Sequence, residues 1–231
     1  MATIKLKAIE ELKAKHSRAR DAALIYEYSV ESANALWAAY DLARENRGKP
    51  RGITTDQEQD LLRAMLVAAA SGLDAALKQL IRDALPSMIK RNTAVHKEFE
   101  RFAQKRISIK DPEGDSVVSA KILARILAAP DPQKRLIEDY IFELTGDSLQ
   151  SPDQLFKVCN VFDLDVKELN EKEALKAVFI ARNQIIHELD MNLDSPNRKR
   201  RLRSQADMQA YAELLLKLCH SIISATDAQF D

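Results

Sequence analysis

Arg182, Asn183 and His187 are the residues of this chain whose types and spacing suit acid–base chemistry on a phosphodiester. They belong to the stretch Ala181-Arg182-Asn183-Gln184-Ile185-Ile186-His187, which ends a long amphipathic segment. An imidazole titrates near neutral pH, so it can take a proton from a 2′-hydroxyl or give one to a leaving oxygen. A guanidinium presents a planar fork to phosphate oxygens and stays charged while negative charge builds there. The carboxamide of Asn183 can orient either group. RNA carries its own nucleophile, so this chemistry needs no metal and no cofactor. Clusters of acids that would hold Mg²⁺ are missing. His187-Glu188 does not open a zinc motif, because Met191 stands where the second His of HExxH belongs.

Helical geometry divides the three residues. Asn183 and His187 lie four apart, about 40° around the axis, and share a face. Arg182 is turned about 140° from His187. A helix that loosens near Glu188, or a second copy brought in by a two-fold axis, would let the guanidinium reach the imidazole. The bland alternative is the frayed end of a core helix.

Downstream, Arg198, Lys199, Arg200, Arg201 and Arg203 form a basic run without an acid. Such a run is often solvated surface. Beside an RNA site it is a phosphate rail whose binding weakens steeply with salt. Stacking aromatics are scarce nearby, so sequence-specific reading of bases is not expected. A second basic stripe, Lys97, Arg101 and Lys105, repeats every four residues; it is either a solvated face or a further phosphate contact.

The elements that must carry these residues are helices. Only 5 Gly and 7 Pro punctuate 231 residues, so the frequent turns of a sheet protein are missing. Hydrophobic residues at 46% and charged residues at 30% match an ordinary soluble chain with material for a core. The net charge of zero gives no bulk attraction for nucleic acid, so any such binding rests on local clusters. Cys159 and Cys219 sit in apolar helical patterns without a CxxC pair, which reads as two buried free thiols. No signal core opens the chain, and no apolar run approaches the length of a membrane span, so a cytoplasmic location without membrane contact is expected.

Periodicity predicts an all-α fold, a bundle of about eight helices with a long N-terminal helix. That first helix is expected from about Thr3 to Asn46, on a stripe from Ile9 through Leu12, His16, Tyr26 and Trp37 to Tyr40. Residues 1–52 then form a helical arm packed on or extending from the bundle, and residues 53–231 the helical domain. The break falls at Arg47-Gly48-Lys49-Pro50-Arg51-Gly52. Thr55 with Glu58 has capping-box spacing. Pro86 is expected to kink or end the second helix, and Ser71-Gly72 to admit a close neighbour. Asp74 and Lys78 read as a solvated ion pair. Thr93 and Ser116 are expected to cap the next two helices, with Asp111 to Asp115 as the loop between them. Gly146 should close the helix begun at Gln133, Ser151-Pro152 should start another, and Asn170 with Glu173 should cap the helix bearing the motif.

The arrangement resembles the HEPN superfamily. Its RxxxxH motif, often Arg-Asn-xxx-His, matches Arg182, Asn183 and His187, and the setting on a late helix followed by a loop and one more helix is similar. The resemblance covers about Leu61 to Ala228. It is closest to the stand-alone HEPN proteins of prokaryotic defence and toxin systems, including the RiboL-PSP-type group. It implies a homodimer with a composite cleft, acting as a metal-independent endoribonuclease that leaves 2′,3′-cyclic phosphate. His187 would be the acid/base residue, Arg182 the phosphate and transition-state group, and Asn183 the orienting residue. An antitoxin or regulatory protein would be a further partner. One feature departs from the pattern. Toxins of this kind paired with a minimal nucleotidyltransferase carry His-x-Tyr, whereas this chain has His187-Glu188-Leu189. The alternative expectation is a catalytically inactive HEPN-like adaptor that binds RNA or a partner protein.

Overall fold

The computed structural model describes residue 6 and residues 10–47, 52–110 and 116–231. The expected breaks at residues 48–51 and 111–115, and the expected helix start near Thr3, lie outside the described residues. Eight α-helices are present among those described, so the chain is an all-α bundle. They are α1 (Ser17–Asn46), α2 (Asp56–Arg91), α3 (Thr93–Ile107), α4 (Ala120–Leu127), α5 (Pro132–Thr145), α6 (Pro152–Val161), α7 (Lys172–Glu188) and α8 (Gln205–Ala228). A short antiparallel pair, β1 (Ser108–Lys110) and β2 (Ser116–Val118), joins α3 to α4.

The core is built on α2. Its capping box forms as its spacing predicts: the Thr55 hydroxyl accepts from the Glu58 amide, and the Glu58 carboxylate accepts from the Thr55 amide. Leu62, Met65, Leu66, Leu73, Leu77, Leu80 and Ile81 are then fully buried between α1 and α8. This helix is long and apolar enough to cross a membrane, but half of its most apolar stretch is buried inside the bundle. Pro86 does not end it. A Pro inside a helix costs about 3 kcal/mol, while burying each of Leu85, Met88 and Ile89 returns roughly 1.5–3 kcal/mol, so tertiary packing wins.

The first helix starts later than its stripe suggests. Residues 10–16 are not helical, although Leu12 is buried. Carboxylates on α1 and α8 accept their backbone amides: Glu27 from Leu12 at 2.7 Å, and Asp227 from Lys15 at 2.7 Å and His16 at 3.0 Å. The Tyr26 hydroxyl donates to the Glu10 carbonyl. Those contacts replace the helical ladder that a 3.5-residue repeat alone would favour. His16 also places Nδ1 3.1 Å from Asp227, so it ties the chain start to α8 rather than serving a helical seam. Ala19, Ala23, Tyr26, Trp37 and Tyr40 share one core with α2 and α8, so α1 is packed on the bundle.

Gly72 has the close neighbour its position implies. A Cβ built there would stand 2.2 Å from the Ser29 Cβ, so α1 and α2 approach too closely at this point for any side chain. Other ends shift by a few residues. Asn92 rather than Thr93 caps α3, and Ser119 rather than Ser116 caps α4 because residues 116–118 pair as a strand. Ser151 caps α6 with Pro152 in its first turn, and Gly146 is the C-cap of α5. Asn170 ends a short 3-10 turn instead of capping α7, whose N-cap, Glu171, makes no side-chain cap. Both cysteines are buried and free, and burial pushes the Cys159 thiol up to about 12.

Candidate functional site

The motif occupies the last two turns of α7. Leu175, Val178, Phe179 and Ala181 bury one side of that helix. Ile180, Asn183 and His187 then fall on the opposite, exposed stripe, with exposed Ile186 beside them. Regular helix continues through Glu188, and the chain leaves it at Leu189, which adopts the left-handed conformation (φ 50°). The helix therefore loosens only after His187.

Arg182 and Asn183 are brought together. The guanidinium Nη1 donates to Asn183 Oδ1 at 3.0 Å. The rest of the Arg182 side chain lies half-buried, with Nε making no hydrogen bond. Burial draws the guanidinium pKa down, and the negative charge of Asp74 on α2 opposes that. Asp74 itself accepts the Leu149 amide at 2.6 Å and pairs with Lys78 at 3.0 Å, so this pair is a half-buried link between α2 and the loop before α6. Among the described residues no hydrogen bond joins Arg182 or Asn183 to His187, whose exposed imidazole also makes none to other groups. One chain thus presents Arg182–Asn183 and His187 as separate parts of one edge.

The basic run after the motif divides into two groups. Arg203 is mostly buried. Its Nε and Nη2 donate to Asp190 at 3.1 and 2.5 Å, and Nη2 also donates to Gln184 Oε1 at 2.8 Å. Arg200 pairs with Asp60 at 2.7 Å. Arg201 pairs with Glu188 at 3.0 Å and donates to the Met191 carbonyl. These three hold the loop onto α2 and α7. Arg198 and Lys199 are exposed and have no acidic partner among the described residues, so they are the two charges a phosphate backbone would meet.

Asp190 is the centre of this arrangement, and periodicity does not single it out. It is fully buried, at φ 58°. Beyond Arg203 it accepts from Arg63 Nε at 2.7 Å. Burial, the largest single influence, would raise its pKa, but the hydrogen bonds and positive charges of Arg203 and Arg63 together outweigh it and hold the carboxyl below the usual range. Arg63 also donates to Asp60 and to the Arg201 carbonyl. The Gln59 carboxamide closes the set by pairing with both backbone groups of Arg203. One signal for this cluster was present in the sequence: Arg63 interrupts the apolar face beside Leu62 and Leu66, a position where a charge needs a buried partner.

Among the described residues no group of three or more His, Cys, Asp or Glu side chains could hold a metal ion. No family model matches this chain, and no curated protein or solved structure matches it either.

Proposed function

We propose that this protein is a HEPN-type, metal-independent endoribonuclease of a prokaryotic defence or toxin–antitoxin system, acting in the cytoplasm as a homodimer. The observation that carries the reading is the edge of α7: exposed Asn183 and His187 one turn apart, with the Arg182 guanidinium hydrogen-bonded to Asn183. In the proposed reaction His187 exchanges protons with the 2′-hydroxyl and the leaving 5′-oxygen. Arg182 stabilises the charge on the phosphorane, Asn183 orients the guanidinium, and 2′,3′-cyclic phosphate ends result. Because Arg182 points to Asn183 rather than His187, the cleft is completed by a second copy. Exposed Ile180, Ile186, Leu189 and Leu193 around the motif offer that copy an apolar surface. Arg198 and Lys199 track the RNA backbone, while Arg200, Arg201 and Arg203 set the loop that presents them. An antitoxin or regulatory protein would act by covering the same edge.

A second reading is an inactive HEPN-like adaptor that binds RNA or a partner protein. It is favoured by the half-buried Arg182 and by the three loop arginines already engaged. One experiment separates the two. RNA is incubated with pure protein in EDTA and the new ends are identified. Cyclic phosphate ends that disappear in both His187→Ala and Arg182→Ala are expected; activity kept by both variants would overturn the nuclease reading, and intact RNA with the unaltered protein would favour the adaptor.

A further inference from the structure

A cavity of about 760 Å³ opens between α3, α5, α6 and the first turns of α7. It lies towards the other end of α7 from the motif, with Lys172 about 22 Å from His187 along the axis at about 1.5 Å per residue. Its size falls within the usual range for small-molecule sites.

The floor is aromatic. Phe102 and Tyr140 are buried and stacked, with ring centroids 4.5 Å apart, and Phe156 stands beside them as a partly buried wall. The Tyr140 hydroxyl makes no hydrogen bond among the described residues, although the residue is only 4% exposed and lines the cavity. The ring is buried while the hydroxyl opens onto the cavity, where it is free to donate to a bound group. Burial, with the carboxylates of Glu98 and Glu143, pushes its pKa up, so the group stays protonated and able to donate.

The rim carries charges of both signs, and their pairing leaves a surplus of one. Arg101 is neutralised by Glu98, and Lys157 by Glu143. Asp153 and Glu173 lie in the first turns of α6 and α7, where a negative charge complements the helix's own amide end. Lys105 on α3 and Lys172 and Lys176 on α7 have no carboxylate partner among the described residues, and they face the cavity from two sides. Lys172 places its ammonium 5.1 Å from the centre of the Phe156 ring.

We propose that this cavity binds a small organic anion with an aromatic body. Its ring packs on Phe102, Tyr140 and Phe156, an acceptor on that body takes the Tyr140 hydroxyl, and its carboxylate or phosphate is held by Lys105, Lys172 and Lys176. Nothing in this site uses the His187 edge.

Calorimetry of the full chain tests this with indole-3-carboxylate and phenyl phosphate as probes, and with indole and inorganic phosphate as their one-sided counterparts. The expected result is one site per chain for at least one aromatic anion, with affinity at least about tenfold above indole and inorganic phosphate. Preference between the two probes tells carboxylate from phosphate. Lys105→Ala combined with Lys176→Ala should weaken binding about tenfold or more, and Tyr140→Phe about fivefold, with unchanged thermal midpoints. His187→Ala should bind normally, which keeps this result separate from the nuclease test. Dissociation constants above about 1 mM for both aromatic anions, equal binding of indole, or unchanged affinity in the double lysine variant would each overturn the proposal.

Discussion

Arg203 grips Asp190 with two nitrogens, Nε at 3.1 Å and Nη2 at 2.5 Å, and so fixes the loop that follows the His187 helix. Arg63 reaches the same carboxylate from α2. Removing the shared acid would leave two guanidinium groups facing each other with little solvent. Asp190→Ala is therefore expected to cost about 3–5 kcal/mol, the range for breaking a buried pair from one side. Urea unfolding measures it, and a loss under about 1 kcal/mol would mean the network is dispensable.

The same carboxylate makes stability depend on acid. Its folded pKa lies below its unfolded value, so the native state binds this proton less readily than the unfolded chain. The stabilisation is present above the unfolded pKa of about 3.9 and is lost as pH falls through the folded value. Unfolding midpoints measured from pH 6 down to about 2 should show a steep acid limb in the unaltered protein, and that limb should be shallower in Asp190→Asn.

Leu189 is the first of two consecutive left-handed residues, Asp190 being the second, and its side chain is 72% exposed. The left-handed conformation costs a residue with a Cβ roughly 1–2 kcal/mol, and glycine gives back about half of that relief as unfolded-chain entropy. Leu189→Gly is expected to raise stability by up to about 1 kcal/mol, seen as a higher denaturant midpoint.

At the α1–α2 crossing, Gly72→Ala should destabilise by about 1–3 kcal/mol, as overpacking does. The new methyl meets the Ser29 Cβ, which no rotamer change can move. Ser29→Gly in the same chain should restore most of the loss, whereas Ser29→Ala should not. Thermal melts of the two double variants decide between steric overlap and a simple propensity effect.

Arg198 and Lys199 differ from the rest of their run in having no acidic partner among the described residues. Replacing both with Ala should lower the slope of log affinity against log salt for single-stranded RNA by about 1.4, at about 0.7 per phosphate contact. Stability should change by less than about 0.5 kcal/mol for these exposed side chains. Arg203→Ala should do the reverse: a large loss of stability through its buried partner, seen in the same unfolding assay.

Local signals in the sequence were enough for the class of fold, its eight helices and several of their starts. The Thr55–Glu58 box and the Ser151-Pro152 start depend on residues within one turn, so spacing alone specifies them. The shared face of Asn183 and His187 follows from 3.6 residues per turn in the same way. Long-range contacts decided the rest. Residues 10–16 leave the helical pattern because Glu27 on α1 and, from the far end of the chain, Asp227 on α8 accept their amides. Pro86 stays inside α2 because its neighbours are buried on both sides. Five basic residues close in sequence separate into three that hold a loop and two without an acidic partner among the described residues, since only the folded chain brings Asp60, Glu188 and Asp190 to meet the three. Lys105 and Lys176 lie far apart in sequence and face one cavity only because α3 and α7 pack around the same aromatic floor. Spacing along a helix determines which residues share a face; what that face meets is determined by packing energy between segments that no local pattern connects.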